Sequence, residues 1–279
     1  MTPTPTKALI PAAGLGTRYL PWSKAVPKEL IPVGAYPVLH YVVAEAKAAG
    51  CREIGIILSE GKEAIRTYFT HDAELEARLE RDGKSAFLED WRELMDGLSF
   101  TWLEQREQKG LGDAVYCGAE FAEGEPVYVL LGDTLMEGGS PLNGMRDTYL
   151  ATGTSQVGVE AVEPERATRY GVCGGKGISE GVFQLDRMIE KPAAEEIPSM
   201  QAVDGRPLTH AHAFAARYLL TPAVFEALAT AEPGKHNEIQ LTDAMARAME
   251  SEGFHAVRLP GRRKDIGAPA DNHPLPQYG

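Results

Sequence analysis

Residues 7–18 read KALIPAAGLGTR, a short apolar run that ends in two small alanines and two spaced glycines. Lys7 to Pro11 has the make-up of a buried β-strand. The residues after it form a turn in which a backbone can approach a phosphate closely and offer its N–H groups. A strand that runs into such a turn is the expected opening of a sheet covered by helices, and the next hundred residues keep the alternation. Pro37 to Ala49 predicts a helix, with Pro at its start, apolar Val38, Val42, Ala46 and Ala49 at helical spacing, and Gly50 to end it. Ile54 to Leu58 predicts a buried strand, Phe100 to Leu103 another, and Gly112 to Phe121 a helix. Val127 to Leu131 is apolar throughout, as a central parallel strand must be. Between these elements, residues 64–96 are helical in pattern and highly charged, with a modest apolar face at Leu75, Leu79, Leu88 and Leu94, and read as an excursion outside the sheet.

The second half is mixed. Strands are expected near Gln156 to Val162, Val182 to Ile189, Ala213 to Leu220 and His255 to Leu259, and helices at Pro222 to Ala231 and Leu241 to Glu252. With no repeat, low-complexity tract or evident linker, the expected architecture is α/β: one domain with a Rossmann-like mixed, mostly parallel sheet flanked by helices. In such sheets ligands gather at the carboxyl ends of the strands, which places the turn after Pro11 and Asp133 on the binding edge.

Charge and composition exclude several functions. The chain has 28 Lys and Arg against 40 Asp and Glu, a formal net charge of −12, and 43% apolar residues. It can bury a large core, but it lacks the clustered cations that hold a nucleic acid backbone. Its apolar runs fall short of the roughly 18 to 20 residues of a membrane span, and MTPTPTKALIP lacks the apolar stretch of a signal peptide, so a cytoplasmic protein with no membrane partner is expected. Cys51, Cys117 and Cys173 form no CxxC pair and read as buried small hydrophobes. His210 and His212, two apart, fall on one face of a strand, a weak metal candidate without a third ligand.

The chemistry gathers around the first turn. Gly14 and Gly16 follow neither the dinucleotide fingerprint, which needs a third glycine, nor a P-loop; at Gly83-Lys84-Ser85, Arg78 stands where that loop needs glycine. Arg18, Lys24 and Lys28 nevertheless put three cations just behind the turn. A cation about 4 Å from a phosphate oxygen gains roughly 4 kcal/mol at an effective dielectric near 20. The remote net charge, screened over about 8 Å, opposes an anion by only a few tenths of that unit. An acidic chain can therefore hold a polyphosphate. Asp133, in Leu131-Gly-Asp-Thr-Leu, and Asp265, in Lys264-Asp-Ile-Gly, each lie beside a turn glycine, and taken alone each reads as a turn residue.

The stretch LIPAAGLGTRYLPWSKAVPKELIPVGAYPVLHYVV at residues 9–43 resembles the signature of the sugar 1-phosphate nucleotidylyltransferases. The likeness continues in family order through AELEARLE, QREQKGLGDAV, LLGDTL, TRYGVCGG, MIEKP, EIQLTDA and KDIG, and the charged excursion favours the uridylyl branch over the thymidylyl one. The resemblance implies a nucleotide-diphospho-sugar transferase fold, with a nucleotide-binding half at about 1–135, a sugar-phosphate-binding half at about 136–267 and a short tail at 268–279. It implies UTP and glucose 1-phosphate as substrates, Mg2+ as cofactor, and attack by a sugar-phosphate oxygen on the α-phosphorus of UTP with loss of pyrophosphate. Such a reaction needs positioning and charge neutralisation rather than an enzyme nucleophile.

By motif position the same resemblance assigns Ala13, Gly14, Gly16, Gln105 and Gly110 to the nucleotide, the last two reading the uracil edge. It assigns Arg18, Lys28 and Lys191 to catalysis, with Lys191 also gripping the sugar phosphate, Glu190 and Gly171 to sugar hydroxyls, and Asp133 and Asp265 to the metal. Glu238-Ile-Gln-Leu-Thr-Asp243 resembles a family motif near the sugar site, while Thr242 and Asp243 could equally begin or cap the helix that follows, and Phe214, Phe225 and Trp102 are expected to pack the core. Ser23 stands where the family pattern leads one to expect Thr, and Thr134 where a second Asp is often found. The tail, APADNHPLPQYG, stands where relatives continue into a helix that helps subunits associate, which leaves a homo-oligomer open. Two alternatives stay in view: transfer from dTTP or to another sugar phosphate, because one methyl or one inverted hydroxyl is worth about 1 to 3 kcal/mol, and a silent sugar-nucleotide-binding regulatory protein, disfavoured by the presence of Arg18, Lys28, Asp133, Lys191 and Asp265.

Overall fold

The computed structural model describes residues 2–234 and 237–266, so the tail lies outside the described residues. The chain opens with β1 (Lys7–Pro11), a loop of short 3-10 turns, a small hairpin of β2 (Pro32–Val33) and β3 (Tyr36–Pro37), and α1 (Val38–Ala48). Strand β4 (Glu53–Leu58) leads into the excursion, helical as its composition demands but broken into α2 (Glu63–Tyr68), α3 (Ala73–Arg81) and α4 (Glu89–Met95). Next come β5 (Ser99–Glu104), α5 (Leu111–Tyr116), α6 (Ala119–Ala122), β6 (Val127–Leu130), β7 (Thr134–Glu137) and α7 (Leu142–Thr152). The second half supplies β8 (Ser155–Val162), α8 (Pro164–Ala167), β9 (Gly171–Ser179), β10 (Val182–Glu190), β11 (Met200–Gln201), β12 (Ala211–Leu220), α9 (Pro222–Ala229), α10 (Leu241–Glu252), β13 (Phe254–Arg258) and β14 (Arg262–Asp265).

Ten strands form one sheet in the order β11-β9-β10-β13-β8-β12-β6-β1-β4-β5. Within it β10 and β12 run against the others, so the sheet is mixed and mostly parallel, with strands from both halves of the chain. The alternation of side chains builds two cores, one on each face. In β1 and β6, Leu9, Val127 and Val129 face α5, α9 and α10, whereas Ala8, Ile10, Tyr128 and Leu130 face α1 and α7. No helix among the described residues is long and apolar enough to cross a membrane.

Several expectations are corrected. The helix expected at Gly112 to Phe121 is broken near Gly118, where a Cβ would lie 2.5 Å from Leu9 Cδ1, so the chain must turn to pass that side chain. In the excursion Leu75 is exposed, Leu79 and Leu88 are half-buried, and Leu94 joins the core. Phe214 and Phe225 are core residues and Trp102 packs at its edge, while Cys117 is half-buried rather than buried. His210 is exposed just before β12 and His212 is buried within it, so the two do not share a site. Both His212 ring nitrogens lack hydrogen-bond partners, and burial pushes the ring's pKa down to about 4, which keeps it neutral. The residues of β9, GVCGGKGIS, lack the apolar periodicity of a strand, yet they form one because β10 and β12 supply partners.

Candidate active site

The loop after β1 is shaped by its own side chains. Gly16 adopts φ +65°, the left-handed conformation open to glycine without cost, and its carbonyl accepts the Ser23 hydroxyl at 2.8 Å. Serine therefore suffices where threonine was expected. The Ser59 hydroxyl donates to Ala13 O at 2.9 Å and pins the start of the turn to the end of β4. Lys28 then returns beneath the glycines: a Cβ on Gly14 would lie 3.5 Å from its Nζ.

Asp133 leaves the apolar strand β6 at the sheet's carboxyl edge. Asp265 arrives from the far end of the chain because β14 pairs antiparallel with β7, setting Asp265 opposite Thr134, and Ile266 N–H donates to Asp133 O at 2.9 Å. The Lys28 ammonium donates to Asp133 Oδ2 at 2.5 Å. Burial alone would push the Asp133 carboxyl up, but the charge and hydrogen bond of Lys28 outweigh it and hold the carboxyl below the usual range. Burial likewise lowers Lys28, and Asp133, Glu29 and Asp265 together more than restore it, raising it above the ordinary lysine value.

These groups line one cavity of about 830 Å³ that also receives Gly14, Gly16, Arg18, Arg169, Tyr170, Lys191 and Arg263. Five cations and two carboxylates face it, so the cavity is locally positive in a negative chain. Lys24 is exposed and is absent from its wall. A second cavity, about 280 Å³, adjoins the first at Gly14, Lys28 and Asp133 and is bounded by Ala13, Gln105 and Gly110. Gln105 is buried, and its amide nitrogen donates to Asp113 Oδ2 at 2.7 Å and to Gly110 O at 3.2 Å. A carboxylate can only accept, so this bond fixes the amide's orientation and leaves the Gln105 carbonyl oxygen as an acceptor. Gly110, at φ +104°, lies so close to the chain at Ile239 that a Cβ would meet Ile239 O at 2.8 Å.

A third cavity, about 250 Å³, adjoins the first at Tyr170, Lys191 and Arg263 and is lined by Gly171, Glu190, Phe214 and Thr242. Glu190 and Gly171 are paired across β10 and β9, and a Cβ on Gly171 would fall 2.5 Å from the Phe214 ring. The Thr242 hydroxyl donates to Glu190 Oε2 at 2.7 Å. Thr242 and Asp243 lie in the first turn of α10, which starts at Leu241 after Gln240, as one reading expected, but no side chain caps the helix there, and Thr242 also reaches the cavity that Glu190 lines. Lys191 itself has φ +44°, uncommon for a residue with a side chain, and its ammonium lies 3.7 Å from Glu190 Oε1.

Sequence reasoning missed Arg169, Tyr170 and Arg263. The Arg263 guanidinium stacks on Tyr170, 4.0 Å from the ring centroid, and donates to Phe214 O at 2.9 Å, where it forms the wall between the first and third cavities. Arg169 and Tyr170 stand in the TRYG motif and Arg263 two residues before Asp265, so adjacency to the motif residues was the available signal.

Among the described residues no cluster of three or more His, Cys, Asp or Glu side chains is suited to a metal. Asp133 and Asp265 supply hard oxygen donors to the wall of a cavity that five cations also face. That set fits Mg2+, which takes one or two carboxylates and fills its other positions with water and phosphate oxygens.

The sequence matches the nucleotidyl transferase family over residues 7–273. It is 41% identical over 262 residues to a UTP–glucose-1-phosphate uridylyltransferase of Bacillus subtilis strain 168, covering 94% of this chain and 84% of that protein. It is 39% identical over 265 residues to a protein of the same name from Pseudomonas aeruginosa, covering 94% and 91%. A crystal structure of UDP-glucose pyrophosphorylase complexed with UDP-glucose superposes with a TM-score of 0.83 at 34% identity, covering 96% of this chain and 95% of the other.

Proposed function

The chain belongs to the nucleotidyl transferase family, and from that membership and the site's geometry we infer that it transfers the uridylyl group of UTP to glucose 1-phosphate. A phosphate oxygen of the sugar phosphate attacks the α-phosphorus, a new P–O bond forms, the bond to the bridging oxygen of the β-phosphate breaks, and UDP-glucose and pyrophosphate leave. No proton has to move, so the chain's task is to bring two anions together and offset their charge.

The observation that carries this reading is the meeting of Arg18, Lys28, Asp133, Lys191 and Asp265 on one cavity, which adjoins a chamber bounded by Gln105 and one bounded by Glu190. In the nucleotide half, the Gln105 carbonyl accepts from uracil N3–H, the Gly110 backbone completes the base site, and Ala13, Gly14 and Gly16 offer backbone contacts to the phosphates. Arg18 and Lys28 neutralise the triphosphate and the departing pyrophosphate. In the sugar half, Lys191 grips the phosphate of glucose 1-phosphate, while Glu190, oriented by Thr242, and the neighbouring Gly171 backbone hold the hydroxyls. Asp133 and Asp265 would hold a magnesium ion, which would supply positive charge to offset that of the two phosphate-bearing substrates. A cytoplasmic location belongs to the same reading, since both substrates are polyanions that a bilayer excludes.

The test is pyrophosphate release by the purified chain with UTP, glucose 1-phosphate and Mg2+, with EDTA expected to abolish it. Replacing UTP by dTTP, ATP or GTP, and glucose by galactose or mannose 1-phosphate, measures the preference. Activity with dTTP alone would move the assignment to thymidylyl transfer, and UDP-glucose binding without turnover would make the chain a sensor.

A further inference from the structure

We propose that Arg217 is a positioning residue for the divalent cation, a role that rests on the reading of Asp133 and Asp265 as its ligands. Arg217 heads the largest fully buried side chains, with no exposed surface, in a stretch of β12 where the register with β8 shifts between Phe214 and Tyr218. Its guanidinium is held in a fork by Glu45 of α1, with Nε donating to Oε1 at 3.0 Å and Nη2 to Oε2 at 2.6 Å. The Ser140 hydroxyl adds a donor to Glu45 Oε1 at 2.6 Å.

The remaining hydrogen bonds of the guanidinium are aimed at the site. Nη2 donates to Thr134 O at 2.8 Å, and Nη1 to Ala216 O at 2.9 Å. Thr134 follows Asp133 directly and stands opposite Asp265 in the β7–β14 pair. Ala216 lines the reaction cavity at φ +60°, and its carbonyl also accepts the Leu131 N–H at 3.2 Å. One planar cation thus fastens the backbone between the two acids and the backbone of the facing wall to a single helix.

A buried ion pair adds little to stability compared with apolar packing of the same volume, so its use here fits geometric control. Mg2+ demands near-octahedral oxygens at about 2.0 to 2.1 Å, whereas Ca2+ accepts longer and looser geometry. Loosening the Asp133–Thr134 corner should therefore weaken Mg2+ far more than Ca2+, and leave nucleotide-sugar binding without metal nearly unchanged. A residue that merely holds the fold together would not divide the two cations.

Calorimetric titration of Mg2+ and of Ca2+ into the protein saturated with UDP-glucose tests this, using the wild type, Arg217→Lys, Glu45→Gln and Asp133→Asn. The expected result for Arg217→Lys is a Kd for Mg2+ raised about tenfold or more, as for other residues that orient metal ligands, with Ca2+ and metal-free UDP-glucose affinities changed by less than about threefold. Glu45→Gln, which keeps the volume and leaves Arg217 in place, should shift Mg2+ in the same direction, and it decides the matter if Arg217→Lys does not unfold cooperatively. Unchanged Mg2+ affinity in the folded variants, or equal losses for Mg2+ and Ca2+, overturns the proposal. If the wild type binds no Mg2+, or Asp133→Asn binds it equally well, the ligand assignment itself has failed.

Discussion

The ammonium of Lys28 rests 2.5 Å from Asp133 Oδ2, so the cation proposed for the triphosphate and the acid proposed for the metal neutralise each other. For Lys28 to turn to a phosphate, Asp133 must receive another positive charge. Lys28→Met should thus cut kcat/KM for UTP by about 100- to 1000-fold, in the range seen when one donor to developing charge is removed. The same change should tighten Mg2+ binding to the free protein, because Asp133 loses its competing cation. Steady-state pyrophosphate release and metal titration read the two effects; a variant that loses activity and also loses metal affinity contradicts the exchange.

His212 gives the pH prediction. Burial lowers its pKa from the ordinary 6.5 to about 4, and neither ring nitrogen is hydrogen-bonded. Its folded pKa lies below its unfolded one, so between the two the unfolded chain binds more protons. Its contribution is complete above about pH 6.5 and is lost as pH falls through about 4, on the order of 3 kcal/mol in all. His40 and His255, whose values burial also lowers, act in the same direction. Urea unfolding from pH 7 to pH 4 should show a steep loss for the wild type and a shallower one for His212→Leu. Parallel curves would mean that His212 titrates normally.

The parts of the fold that could be read from sequence are those set by local chemistry. An apolar strand running into Ala-Ala-Gly-Leu-Gly needs no distant partner to be recognised, and neither does Asp133 at the end of Val127–Leu130. What brings Asp265 to Asp133 is the pairing of two four-residue strands, TLME and RRKD, too short and polar to carry a strand pattern. Strand β9 was hidden for a related reason: its glycines are required by neighbours, with Gly174 packed against Pro198 and Gly171 against Phe214, and they remove the apolar periodicity that marks a strand. Thr242 could be read two ways, as a helix-start residue, because Ser and Thr favour that position, or through its motif as a neighbour of the sugar site. It stands in the first turn of α10 and its hydroxyl reaches Glu190, on a strand that becomes its neighbour only in the folded sheet, so local sequence alone could not choose.

Two glycines, one in each of the two smaller chambers, allow the proposed nucleotide and sugar sites to be separated by experiment. Gly110 combines φ +104° with a Cβ position 2.8 Å from Ile239 O, so Gly110→Ala must displace backbone at the proposed base site. Gly171→Ala would drive a methyl to 2.5 Å from the Phe214 ring and 2.9 Å from Glu190 Oε2, at the proposed sugar site, where side chains rather than backbone must yield. Each crowding should cost roughly 1 to 3 kcal/mol of stability, with Gly110→Ala at the upper end because a backbone cannot rotate away. The kinetic signatures should differ: Gly110→Ala raises KM for UTP while leaving that for glucose 1-phosphate within about twofold, and Gly171→Ala does the reverse, because uniform binding lost at one substrate appears in that substrate's KM. If both variants raise both KM values equally, the chambers are not separate substrate sites and the assignment of Gln105 and Glu190 to opposite halves of the reaction fails with them.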